Sequence, residues 1–157
     1  MSKEHLGIYL NDHLAGSNVA LEILDHLAVE APDLASPLAA LKADVNEDRQ
    51  QLLALMASLE ISESRARKAG SWIAEKVAEV KLEVDDDQTG PLRRLERLEA
   101  LAVGIYGKIE LWQALNALSM SKPFGELNYE VLIRRGEEQR ARVDVWRLQA
   151  AKTALVI

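Results

Sequence analysis

The sequence predicts an all-α protein, an up-and-down antiparallel bundle of about five helices in a single domain over residues 1–157. Three observations predict it. Apolar residues recur at helical spacing, and no segment alternates apolar with polar residues over a strand's length. Turn-forming residues gather at a few short breaks and leave long uninterrupted stretches between them. Long helices joined by short connections fold back on their neighbours.

The first predicted helix runs from about Glu4 to Val29 and stops at Ala31-Pro32-Asp33. Leu6, Tyr9, Leu10, Ala20, Leu24 and Leu27 form its apolar stripe, with His13 at the centre and Ser17 one turn on. Asn11, Asn18 and Glu22 lie opposite, and Asp25 and His26 lie near the wet face. The second helix is expected to begin at Ser36-Pro37, a serine cap followed by a first-turn proline, and to reach about Leu59. Leu34, Leu38, Leu41, Val45, Leu52, Leu55, Met56 and Leu59 share its inner arc. Asp48 falls within that arc, and Asp44 and Gln51 sit at its edge.

The third predicted helix follows Ser62 and continues to about Leu82, turning Ala66, Ala69, Ile73, Val77 and Val80 inward, with Trp72 and Lys76 flanking them. An acidic turn from Asp85 to Gly90 leads to Pro91, which opens a fourth helix ending near Leu118. That helix is apolar nearly all round. One face carries Leu95, Leu98, Ala102, Ile105 and Ile109, with Glu99, Tyr106 and Gln113 along its edge. The reverse face carries Leu101, Gly104, Gly107, Leu111, Leu115 and Leu118. Such a helix is central to its domain or covered by a second copy, so Leu101, Leu111, Leu115 and Leu118 are candidate interface residues for a homodimer. The fifth helix starts at the cap Asn128 and reaches about Ala154. It buries Tyr129, Leu132, Gly136, Val143, Ala150 and Ala154, with Arg140 and Arg147 at the border. Trp72, Trp112 and Trp146 are each expected at the margin of a buried arc, where an indole packs its body and presents its N–H to a partner.

Composition narrows the function. The 19 basic and 25 acidic residues give a net charge of −6, and the basic residues are interleaved with acids, which argues against nucleic acid as a partner. The absence of cysteine excludes disulfides, thiolate metal sites and a cysteine nucleophile. The first residues carry no secretory pattern and no apolar run is long enough to span a membrane, so the expected location is the cytoplasm.

One feature is chemical. A lone carboxylate is costly to bury, so Asp48 must be paired, protonated or solvated. His13 lies at a comparable height on the neighbouring helix, within about two helical turns. The expected buried polar network is His13, Ser17, Asp44, Asp48, Glu99, Tyr106, Arg140 and Arg147, with an arginine fork matched to a carboxylate. Its plainest role is to fix helix register. A metal site built from His13, Asp48 and Glu99 is the alternative, since one imidazole with carboxylates on facing helices is chemistry a bundle core can hold. A small-ligand pocket beside Gly16, Ala69 and Gly70 is a third reading. Ser17 and His13 are close enough to touch on one helix, but no strained turn presents the serine and no oxyanion hole accompanies it.

The stretches YLNDHLAGS, Tyr9 to Ser17, and NEDR, Asn46 to Arg49, set among long helices with an inward His and carboxylates, resemble small bacterial helical-bundle proteins of the ferritin-like superfamily. The resemblance implies a ferritin-like bundle and iron or manganese as cofactor. The superfamily's di-iron members rest on paired Glu-x-x-His motifs. Here Ser2, Leu10 and Ile23 stand three residues before His5, His13 and His26, so that motif is missing. The expectation is therefore a non-catalytic bundle that binds a partner or itself through its fourth helix. A metal-binding protein or oxidoreductase is the alternative.

Overall fold

Apolar periodicity of this kind resolves into helices over most of the described chain. The computed structural model describes residues 3–64, 79, 90–119 and 126–156. Four α-helices and no strand occur among them: α1 (Lys3–Glu30), α2 (Ala35–Ser58), α3 (Pro91–Ser119) and α4 (Tyr129–Ala154). They correspond to the first, second, fourth and fifth predicted helices. The third predicted helix, with Trp72, Lys76, Ala69 and Gly70, lies outside the described residues except for Glu63, Ser64 and Glu79.

Helix ends follow local chemistry in most places. Pro91 opens α3, and the Asn128 side chain accepts a hydrogen bond from the Val131 amide at 3.2 Å, capping α4. Gly90 precedes α3 with φ +123°, a conformation that a residue with a Cβ rarely adopts. The expected serine cap on α2 is not used. Pro32–Leu34 form a single 3-10 turn that runs directly into Ala35, so Ser36 already lies inside the helix and Leu34 takes the cap position without a side-chain bond. A proline three residues earlier, in the turn itself, decides the boundary.

Packing order follows from side-chain pairs. Asn18 with Arg49 and Asp25 with Lys42 set α1 antiparallel to α2. Lys108 with Gln139 and Tyr106 with Arg140 set α3 antiparallel to α4. α3 packs against both α1 and α4, while α2 and α4 make no extended backbone contact. α2 and α4 are joined instead by long polar side chains.

The core is in two parts. One holds Ile23, Leu24 and Leu27 of α1, Leu38, Leu41 and Val45 of α2, Leu95 to Ile109 of α3, and Val143 and Ala150 of α4. The other holds Leu6, Leu10 and Leu14, then Leu52, Leu55 and Met56, then Leu111, Trp112 and Leu115, then Tyr129 and Leu132. Trp112 is buried in the middle of this second part, not at a margin, with its ring 6.3 Å from Tyr129. The residues proposed for a dimer face divide accordingly. Leu101, Leu111 and Leu115 are buried inside the chain's own core, and Leu118 is exposed. The part of the reverse face that carries Leu101, Leu111 and Leu115 is covered by α1 and α4, while Gly104 and Leu118 stay exposed, which a single-helix wheel cannot reveal.

Candidate functional site: a buried charged layer

Between the two apolar clusters each of three helices places one polar residue at a core position. On α2 the inward residues are Leu41, Val45, Asp48, Leu52 and Leu55. On α3 they are Leu101, Ile105, Lys108, Trp112 and Leu115, and on α4 they are Leu132, Gly136, Gln139 and Val143. The steps of three and four residues continue unbroken through each polar member, so the helical register itself carries Asp48, Lys108 and Gln139 inside.

Asp48 is 2% exposed and Gln139 0%. The Lys108 ammonium donates to Asp48 Oδ2 at 2.6 Å, and also to Gln139 Oε1. Gln139 Nε2 donates to the same Asp48 Oδ2 at 2.8 Å, which closes a three-membered ring of hydrogen bonds. Arg135 lies one turn away on α4, with its Nε 3.3 Å from Asp48 Oδ1 in an ion pair not aligned as a hydrogen bond. Its Nη2 donates to Glu47 Oε2 at 2.8 Å and to the Asp44 carbonyl at 3.1 Å. Arg142 extends the seam outward, donating to Asp44 Oδ2 at 2.5 Å. Burial pushes the Lys108 ammonium below the ordinary lysine range, against the opposing pull of Asp48. Arg135 is pushed up, first by its hydrogen bond to Glu47 and also by the charge of Asp48.

The layer is polar but chemically occupied. The lysine, the one group here with the makings of a nucleophile, donates hydrogen bonds from its ammonium to Asp48 and Gln139. A depression of about 350 Å³ lies elsewhere, open to solvent, and is lined by Asn116, Ser119 and the Glu126 to Glu130 segment. None of its lining residues belongs to the layer.

Of the eight residues expected in one network, the structure brings only Asp44 and Asp48 to the charged layer. Asp44 and Asp48 are joined through Arg135. Ser17 turns back to donate to the Leu14 carbonyl at 2.6 Å. Arg147 pairs with Asp144 on its own helix at 3.0 Å. Arg140 lies over the exposed Tyr106 ring at 4.8 Å, outside the bundle. Glu99 is exposed on the outer side of α3. His13 is half-buried, its ring set edge-on to Tyr9 at 4.7 Å, and burial lowers its pKa to about 4 despite the neighbouring charge of Asp12. Asp12, not singled out from sequence, is the buried carboxylate of α1. α1 packs on two neighbours, so its buried arc is wider than the stripe suggests and takes in Asp12, Val19 and Ile23.

The alternative of an iron or manganese cofactor is corrected by this arrangement. Among the described residues no group of three or more His, Cys, Asp or Glu side chains could hold a metal ion. His13, Asp48 and Glu99 do not form one: Asp48 is held by a lysine, a glutamine and an arginine, and Glu99 faces away from the core. A metal site needs carboxylates turned toward a shared empty point, whereas cations of the chain itself fill that point here.

Lys108, Arg135 and Gln139 were missed as members. The signal was present: Gln139 and Lys108 continue the spacing of their apolar neighbours. A second buried charge was also missed. Arg97 at the start of α3 is paired with Glu30 at the end of α1, while Arg94 reaches Asp33 at 3.0 Å. Burial lowers the Arg97 pKa. These pairs tie the 3-10 turn to α3. Comparison with known proteins finds no matching family model, no matching curated protein and no matching solved structure.

Proposed function

We propose that this chain is a non-catalytic, cytosolic helical-bundle protein that acts by protein association, itself being the first partner to test. The observation that carries the reading is the internal occupation of the charged layer. Asp48, Lys108 and Gln139 hydrogen-bond one another across three helices and Arg135 faces the remaining Asp48 oxygen, so the most polar part of the interior is used to fix the bundle rather than to meet a substrate. Large apolar side chains on the outside, Val103, Val145 and Leu148 among them, support an associating surface. In this reading the ferritin-like likeness is one of architecture, long helices around a polar layer, without the superfamily's metal chemistry.

Sedimentation velocity over micromolar to near-millimolar concentration tests it. The expected result is reversible, concentration-dependent association. A single monomeric species over the whole range would refute self-association.

A further inference from the structure

One row of exposed residues on α4 runs Val131, Arg134, Glu138, Ala141, Val145, Leu148 and Lys152, and Leu155 continues it just past the helix end. They are separated by alternating steps of three and four residues, the spacing of a helix seam made for another helix. All are exposed. Val145 is 67% exposed, Leu148 53% and Leu155 60%, high values for apolar side chains on one face.

We infer that this outer face of α4 is the contact between two copies of the chain, with the two helices antiparallel about a twofold axis beside Val145. The inference rests on the self-association reading and assigns its surface. Charge makes the case for a second copy. Glu138 lies seven residues before Val145 and Lys152 seven after it. In an antiparallel pair centred on Val145, each Glu138 therefore stands level with the other copy's Lys152. At roughly 1.5 Å rise per residue the two ion pairs sit about 10 Å either side of the axis. Between them, Ala141 of each copy faces the region of the other copy's Leu148, and the two Val145 side chains meet at the centre. A twofold contact requires one surface to complement itself, and this stripe does so in both charge and size.

The outer face of α3 fails the same test. Its exposed apolar residues Leu92, Val103 and Tyr106 are interspersed with Glu96, Glu99 and Glu110. Two copies pairing there would set acid against acid. One helix face also offers less than the roughly 800 Å² per partner of a standard stable complex, so the association belongs in the micromolar range or weaker.

Charge reversal in the full-length chain tests the assignment. Glu138→Lys places lysines opposite lysines at both ends of the seam, and Lys152→Glu places acids opposite acids. Each variant alone should weaken dimerisation about tenfold. An equimolar mixture of the two variants restores both Glu–Lys pairs and should recover association. Val145→Arg, at an exposed site and with its helical content checked against the unmodified chain by circular dichroism, should give a monomer. If the chain associates but is indifferent to Val145→Arg and to both reversals, this surface is overturned while self-association stands. If the unmodified chain never associates, both are overturned.

Discussion

Removing the Asp48 carboxylate should be one of the most damaging single changes available on α2. Asp48→Ala leaves Gln139 Nε2, on a residue with no solvent exposure, without the acceptor it reaches at 2.8 Å. Lys108 keeps Gln139 Oε1 but loses its counter-charge, and its ammonium is already disfavoured by burial. Arg135 loses least, because Glu47 and the Asp44 carbonyl still hold its guanidinium. Breaking a buried ion pair from one side typically costs 3–5 kcal/mol. With Arg135 and part of Lys108 still satisfied, the low end of that range, about 3 kcal/mol, is the expected loss. Urea unfolding followed by circular dichroism measures it, and the midpoint should fall with the slope unchanged. The companion experiment replaces the whole ring: Asp48→Leu, Lys108→Met and Gln139→Leu together should restore stability to within about 1 kcal/mol of the original or exceed it, since no charge is then stranded. A near-neutral Asp48→Ala, or a triple variant as unstable as the single one, would refute the idea that the penalty comes from abandoned partners.

Two further outcomes are expected. His13 is held at a pKa of about 4 by burial against an unperturbed 6.5, so the unfolded chain binds its proton first. Stability is therefore flat with respect to His13 above pH 6.5 and falls as pH drops from 6.5 to about 4, by about 3 kcal/mol in total; His13→Gln should flatten that part of a stability-against-pH curve, and an unchanged slope would contradict the burial of the ring. Gly136 lets α4 approach α3, because a Cβ there would lie 2.6 Å from Ile109 Cγ1. Gly136→Ala should cost about 1–3 kcal/mol by overpacking, and the combination with Ile109→Ala should be less damaging than the two single losses added together, as a thermal-denaturation double-mutant cycle would show.

How much of this was legible in sequence differs from helix to helix. Pro91, Asn128 and the Ala31-Pro32-Asp33 break marked true boundaries, because a fixed φ, a missing N–H and a side-chain acceptor act within a few residues of themselves. Asp48 was identified as buried for a similarly local reason: it falls between Val45 and Leu52 on the apolar arc of its helix, and a helix keeps that spacing whatever it packs against. Its partners were not identified. Lys108 and Gln139 occupied equally plain core positions, but a lysine on a helix is ordinarily solvated, and only a carboxylate from another helix makes its burial tolerable.

The sequence by itself determined the helical class of the described segments, the inner face of α2 and the fact that the Asp48 charge must be compensated inside. Those properties depend on residues a turn or two apart. Only the tertiary structure decided which cation compensates it, that α1 and α4 cover Leu101, Leu111 and Leu115, and that Glu99, Tyr106 and Arg140 stay outside. Those properties depend on how helices rotate about their own axes against two neighbours at once. A rotation of some 100° per residue makes the assignment of partners sensitive to a single step of register.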